Sequence, residues 1–179
     1  MADLDHILRT VVEPGLRLLP SRMDTDPARV MLLAIGLQES RLIHRRQIGG
    51  PARGLWQFER GGGVTGVLRH KASAELADSA CDQRGVTPSP SALYEALAGD
   101  DLLACAIARL LLFTDPRPLP SLAAPAEAAW EYYIRNWRPG KPHRKTWDAF
   151  HEQAVVAVRA FPSFANVISG ASTVPRSPA

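Results

Sequence analysis

Residues 28–45 read ARVMLLAIGLQESRLIHR, and they set the expected fold class. Val30–Leu37 would be apolar on every side of a helix, which is typical of a helix buried at the centre of a domain. The preceding residues 24–27, DTDP, offer an Asp or Thr cap and a proline in the first turn. We therefore expect a central helix from Ala28 to about Arg45, which stops before the Gly49-Gly50-Pro51 turn.

The rest of the chain also favours helix over sheet. It contains 26 alanines and 21 leucines, against 25 valines, isoleucines and threonines together. Start and stop signals predict helices at 4–19 (interrupted near Pro14-Gly15), 64–71, 73–84, 89–98, 101–113, 125–135 and 145–160. The sequence thus predicts one all-α domain over residues 1–161, a small irregular or hairpin insert at 50–62, and a Pro/Ser-rich flexible tail at 162–179.

Size and composition exclude several classes of protein. A chain of 179 residues, 46% hydrophobic and 22% charged, can bury a core without a disulfide or metal. Cys81 and Cys105 have no metal-ligand spacing, and the five histidines form no zinc pattern, so we expect no metal and no cofactor. Gly61-Gly62-Gly63 lacks the Lys-Ser/Thr of a phosphate loop. We expect synthesis in the cytoplasm without a signal peptide, and no transmembrane segment.

Positive charge is concentrated in two segments. Residues 41–60 have a local charge of +4, and residues 135–145 have +5, within a chain of net charge +3. Such segments indicate either an anionic partner or a solvated surface on which Arg stems cover apolar area. A nucleic-acid-binding protein would instead need a basic face along one helix. These residues lie largely at helix ends and in loops, so no nucleic acid is expected.

Glu39 is the residue of this helix best suited to chemistry. At helical spacing it neighbours Ile35, Leu42 and Ile43 near the negative end of the helix dipole. Desolvation and the dipole both raise the pKa of such a carboxyl, and a carboxyl protonated near neutral pH can act as a general acid. The alternative is that Glu39 pairs with Arg45 or Arg46, or lies in water at the helix end.

The sequence GLQESRLIHRRQIGGPARGLWQFE, residues 36–59, resembles the lysozyme-like lytic transglycosylases and their phage relatives. In that family a Glu-Ser at the end of a buried helix is followed by a Gly-Leu-Met-Gln loop across the cleft. Here Trp56 stands where the family usually has Met. A later Ala-Tyr-Asn-Ala-Gly motif, whose Tyr faces the catalytic Glu, has a loose counterpart in WEYYIRNWRPG, residues 130–140. Tyr133 is the preferred candidate for that Tyr, with Tyr132 next, unless Trp130, Tyr133 and Trp137 are simply core residues.

The resemblance implies cleavage of the β-1,4 bond between N-acetylmuramic acid and N-acetylglucosamine in peptidoglycan, with Glu39 as the acid. A transglycosylase needs no second carboxylate, and this route is favoured here, whereas a hydrolase would use one, for which Glu59 is the candidate. Ser40 would hold Glu39 or a backbone group. Trp56 and Phe58 would stack on sugars or else plug the core. The candidate substrate-binding residues are Ser40, Gly54, Leu55, Trp56, Gln57, Phe58, Tyr132 and Tyr133.

These inferences predict a phage or prophage enzyme that acts on glycan strands of the periplasmic cell wall, either as a virion component beside other virion proteins or after release by lysis. The alternative is a non-catalytic glycan-binding or virion structural module that has a lysozyme-like fold. Peptide stems carry carboxylates, so Arg45, Arg46, Arg53 and Arg138 are expected to flank the cleft.

Overall fold

Helices form almost all of the regular structure. The computed structural model describes residues 2–161, within which no β-strand occurs, so the all-α prediction is confirmed. The predicted tail at 162–179 lies outside the described residues. The six helices after residue 64 begin and end within two residues of the predicted bounds. The α-helices are α1 (Leu4–Ile7), α2 (Glu13–Leu16), α3 (Asp26–Ser40), α4 (Thr65–Arg69), α5 (Ala74–Gln83), α6 (Pro90–Ala96), α7 (Asp101–Phe113), α8 (Ala126–Trp137) and α9 (Arg144–Ala160).

Helix α3 runs through the core, as predicted, and every residue from Val30 to Leu37 is buried. Its start is capped by Thr25, whose Oγ1 accepts a hydrogen bond from the Ala28 N–H at 3.3 Å. Its predicted end at Arg45 is wrong, because α3 ends at Ser40. Arg41 and Leu42 then take left-handed conformations, with φ of 60° and 56°.

A tertiary contact explains this early end. The buried Leu42 side chain folds back onto Gly36, where an added Cβ would lie 2.2 Å from Leu42 Cδ2. The Leu42 N–H is satisfied by the Gly36 carbonyl at 3.2 Å and by Ser40 Oγ at 3.1 Å. Burial of Leu42 therefore outweighs continuation of the helix into the basic, exposed residues 43–46.

The N-terminal segment stays helical through Pro14-Gly15, where an interruption was expected. Its irregularity lies earlier, in a π-helical stretch at Leu8–Val12 that joins α1 to α2. Since Pro14 has no N–H to donate, the turn before it can widen. Gly15 instead allows close packing on α7, because a Cβ there would lie 2.6 Å from Cys105 Cβ.

The segment after α3 is the predicted irregular insert. Two isolated antiparallel bridges, Arg46 with Arg53 and Arg53 with Phe58, fold it into a hairpin-like loop. An irregular turn that the sequence does not indicate follows at Arg60–Val64, with a kink at Gly62, where φ is −95° and ψ is −106°. Helices α8 and α9 pack beside α3, so the end of α3, this loop and α8 meet at one place on the surface. Within residues 2–161, no helix combines the length and the apolar character needed to cross a bilayer.

Candidate active site

A cleft of about 960 Å³ opens where the end of α3, the loop after it and the C-terminal part of α8 meet. The residues after α8 form a further part of its wall. Its volume lies at the upper end of the range found for ligand sites. The lining residues that matter for chemistry are Gln38, Glu39, Gln57, Phe58, Tyr133 and Trp137.

Glu39 presents its carboxyl to this cleft from the last turn of α3. The side chain is half-buried, and its Oε1 accepts a hydrogen bond from the Tyr133 hydroxyl at 2.6 Å. Burial raises the pKa of Glu39 to about 7, and the hydrogen bond from Tyr133 opposes that rise. Glu39 makes no ion pair within the described part of the chain, so the alternative of a pair with Arg45 or Arg46 is wrong.

Tyr133 lies opposite Glu39, as preferred from the sequence. Its ring stacks on Trp147 of α9, with centroids 5.0 Å apart and planes 11° apart, so its orientation is fixed by packing. Burial, together with the nearby Glu39, raises the pKa of the Tyr133 phenol far above its ordinary value. The hydroxyl therefore keeps its proton and remains a donor toward Glu39.

Tyr132 does not reach the cleft, so the structure gives no support to its predicted substrate contact. It projects from α8 toward the core, where its hydroxyl donates to the Leu112 carbonyl at 2.9 Å and the Arg117 carbonyl at 3.3 Å. Burial raises the pKa of this phenol to about 12. One residue along a helix turns a side chain by about 100°, which separates the roles of adjacent tyrosines.

Ser40 is buried outside the cleft and holds backbone, which is one of its two expected roles. Its hydroxyl donates to the Leu55 carbonyl at 2.6 Å and accepts from the Leu42 N–H at 3.1 Å. It thus ties the end of α3 to the loop that carries Gln57. The structure places it as a positioning residue rather than as a substrate contact.

Three of the GLWQF residues face the core instead of substrate. Leu55 and Trp56 are fully buried, and Trp56 Nε1 donates to the Leu32 carbonyl of α3 at 2.9 Å. Trp56 is therefore the plug over the core and offers no face to a sugar ring. Gly54 is also buried, and its φ of +74° and the Leu97 carbonyl, 2.8 Å from a Cβ at this position, leave no room for a side chain.

Gln57 and Phe58 are the two residues of that motif that line the cleft. Gln57 has a left-handed φ of 50°, and its Nε2 donates to the Gly54 carbonyl at 2.8 Å and the His44 carbonyl at 3.1 Å. The side chain is thus held in place. Phe58 is buried in the core, with 2% of its surface exposed, so of its two expected roles the structure favours the core plug, although it also borders the cleft.

Trp137 lines the cleft but was not singled out from the sequence as a substrate contact. It is half-buried, its ring lies 5.7 Å from Phe58 and 6.4 Å from Tyr133, and its Nε1 donates to the Trp56 carbonyl at 3.0 Å. Its position four residues after Tyr133 was the available signal, because it places both rings on one face of α8. The alternative that these aromatic residues belong only to the core holds for Tyr133, which is buried. It does not hold for Trp137, which is half-buried and lines the cleft.

Glu59 lies on the cleft wall as an exposed side chain. Among the described residues, Glu39 and Glu59 are the two carboxylates that line the cleft. Within residues 2–161, no group of three or more His, Cys, Asp or Glu side chains is arranged to hold a metal ion.

Arg45, Arg46 and Arg53 of the first basic segment do not line the cleft, so the expectation that they flank it is not supported. Arg45 pairs with Asp101 at the start of α7 at 2.5 Å. Arg53 lies over the ring of Tyr94, with 5.1 Å from its Cζ to the ring centre. Arg138 of the second segment does line the cleft, as expected.

Comparisons with known proteins add no relative. No family model matches this chain, and no curated protein or solved structure is a significant match to it. The resemblance to lytic transglycosylases thus stays a prediction from short motifs, and the site must be interpreted from its own geometry.

Proposed function

We propose that this protein is a peptidoglycan lytic transglycosylase with a lysozyme-like helical fold. It would cleave the β-1,4 bond between N-acetylmuramic acid and N-acetylglucosamine in the periplasmic cell wall, as a phage or prophage product. The observation that carries the proposal is the half-buried Glu39, which has a pKa of about 7, lines the cleft and accepts a hydrogen bond from Tyr133. A general acid of this kind is what glycosidic bond cleavage requires.

The proposed reaction uses Glu39 twice. Protonated Glu39 donates its proton to the glycosidic oxygen as the bond from that oxygen to the muramic anomeric carbon breaks, which leaves an oxocarbenium-like centre. The 6-hydroxyl of the same sugar then attacks the anomeric carbon, and its proton returns to the Glu39 carboxylate. The product is a 1,6-anhydro sugar, no water is consumed, and the carboxyl is regenerated.

The surroundings of Glu39 suit a carbohydrate. The half-buried ring of Trp137 beside Phe58 offers an apolar face to a pyranose. Gln57, held by two backbone carbonyls, supplies a fixed amide for sugar hydroxyls. A Tyr133 hydroxyl that donates to Oε1 supports the carboxylate formed after the first proton transfer.

A lysozyme-type hydrolase is the second candidate, because Glu59 lies on the wall of the same cleft. In that reaction Glu59 would be the second carboxylate and water would enter the product. The third possibility, a glycan-binding or virion module without turnover, makes the same contacts and differs only in activity.

Digestion of purified peptidoglycan by the wild type, Glu39→Gln and Glu59→Gln, with end groups identified by mass spectrometry, tests the proposal. We expect anhydromuramic ends from the wild type and from Glu59→Gln. Glu39→Gln should lose activity by a factor of about 100 or more. Reducing ends that disappear in Glu59→Gln would show a hydrolase. Glycan binding without release of fragments by the wild type would show a binding module.

A further inference from the structure

The segment between α8 and α9, residues 138–143 (RPGKPH), forms part of the cleft wall and presents unpaired positive charge there. Arg138 and Lys141 both line the cleft and are exposed, and neither makes an ion pair within residues 2–161. Neighbouring arginines differ, since Arg135 pairs with Asp115 at 2.6 Å and Arg144 pairs with Glu127 at 2.6 Å. The second basic segment therefore contains two paired arginines, Arg135 and Arg144, and two cations on the cleft wall without an ion pair, Arg138 and Lys141, while Lys145 lies outside the cleft.

The C-terminal end of this segment is tied to α3 beside Glu39. Gln38, the residue before Glu39, donates from Nε2 to the His143 carbonyl at 3.0 Å and accepts from Thr146 Oγ1 at 3.0 Å. Two prolines in the segment restrict its backbone further. A segment whose backbone is held in this way loses less conformational entropy when a ligand binds than a free loop does.

The backbone at Arg138 supports a role for its side chain. Arg138 caps the end of α8 with φ of 48° and ψ of 52°, a left-handed conformation that glycine adopts without strain. An arginine is thus held at this cleft edge against the local preference. Glu59, the exposed acid of the same cleft, offsets only part of the positive charge.

We infer that Arg138 and Lys141 bind carboxylates of the peptide stem that muramic acid carries, so that the enzyme distinguishes free-acid stems from amidated ones. This inference rests on the proposed function. Carboxylate is the matching ligand because guanidinium and ammonium groups recognise it by charge-assisted hydrogen bonds. The same chemistry exists in the lactyl carboxylate of a muramic residue without its stem, so the test includes both sources.

The test measures binding of three glycan tetrasaccharides by isothermal titration calorimetry in the Glu39→Gln background, which prevents turnover. The three carry free-acid stems, stems with amidated carboxyl groups, or no stems. We expect the free-acid ligand to bind roughly five- to tenfold more tightly than either of the others, with a preference that weakens as salt rises. Arg138→Gln/Lys141→Gln should abolish the preference, whereas Lys145→Gln, which removes a neighbouring charge outside the cleft, should retain it.

Equal affinity for free-acid and amidated ligands would overturn the inference, as would a stemless ligand that binds as tightly as the free-acid one. Persistence of the preference in the double variant would also overturn it. The proposed function is tested separately, by cleavage with the wild type. A preference that depends on Arg138 and Lys141 supports the inference even if the wild type releases no fragments, and cleavage without that preference removes the inference alone.

Discussion

Burial of the Glu39 carboxyl makes the stability of the fold depend on pH. Its carboxyl has a pKa of about 7 in the folded chain, because burial disfavours the charged form, against an ordinary value of 4.5. The folded state therefore holds this proton more tightly than the unfolded state does. Stability from this group is complete below pH 4.5 and declines as pH rises from 4.5 to about 7, since only the unfolded chain ionises freely in that range.

Glu39→Gln should consequently stabilise the fold in a pH-dependent way. Glutamine has the shape of the protonated carboxyl, and its carbonyl can accept from Tyr133, but it never ionises. We expect a free energy of unfolding close to that of the wild type at pH 4 and up to about 3 kcal/mol higher at pH 8, measured by urea denaturation. Glu59→Gln, the same change on an exposed side chain, should alter stability by less than about 0.5 kcal/mol at either pH. A Glu39→Gln effect independent of pH would contradict this assignment.

Tyr133→Phe tests the hydrogen bond at Oε1 while it keeps the ring stacked on Trp147. Since the Tyr133 hydroxyl lowers the pKa of Glu39, its removal should raise that pKa and move the alkaline fall in activity to higher pH. The maximum rate should also drop by roughly tenfold, as expected for loss of a charge-assisted hydrogen bond. The measurement is a pH profile of peptidoglycan cleavage.

The matched control is Tyr132→Phe, which removes a buried hydroxyl on the other side of α8. It should lower stability and leave the pH profile in place. An alkaline limb that stays fixed in Tyr133→Phe, or one that moves equally in both variants, would show that the hydrogen bond does not tune Glu39.

At the level of elements, helix starts were readable from the sequence and the end of α3 was not. Starts depend on local capping, as at Thr25, Ser89 and Asp100, whose side chains accept from N–H groups three residues later. The end of α3 depends on Leu42 packing against Gly36, a contact that no local pattern announces. The difference of five residues matters, because the early end of α3 places Glu39 in the last turn of the helix, beside the cleft.

The loop that carries GLWQF also has some features that the sequence predicts and others that only the folded structure shows. Its residue types indicated a cleft loop, yet which side chains face the core depends on left-handed backbone at Gly54 and Gln57. Those turns send Trp56 into the core and Gln57 into the cleft. Residue spacing could not supply that alternation, since it follows from the backbone conformation of the loop.

Gly54→Ala should therefore destabilise the fold. Its left-handed φ and the Leu97 carbonyl 2.8 Å from the new Cβ both oppose a side chain, and the left-handed conformation alone costs about 1–2 kcal/mol. We expect a loss of at least that size in urea denaturation. Gly99→Ala, where a Cβ has space and φ is not left-handed, should change stability by less than about 1 kcal/mol. Equal losses in the two variants would contradict this explanation of the glycine.

Across the whole molecule, the two basic segments separate into different roles. The first joins elements, as Arg45 does to α7 and Arg41 does by lying 4.4 Å over the ring of Phe150. The second supplies Arg138 and Lys141 to the cleft. The sequence shows where both basic segments lie, but it does not show which of their side chains pair within the fold. That depends on residues such as Asp101 and Phe150, which come from distant parts of the chain.

The central claim is that folding holds the Glu39 carboxyl protonated near neutral pH at the cleft. The direct measurement is a ¹³C NMR titration of protein labelled at glutamate side-chain carboxyls, with the Glu39 signal assigned by its loss in Glu39→Gln. Folded protein should show this signal with a midpoint near pH 7, and protein unfolded in urea should show it near 4.5. A midpoint near 4.5 in the folded protein would contradict the account, because Glu39 would then be ionised at neutral pH and unable to donate the proton.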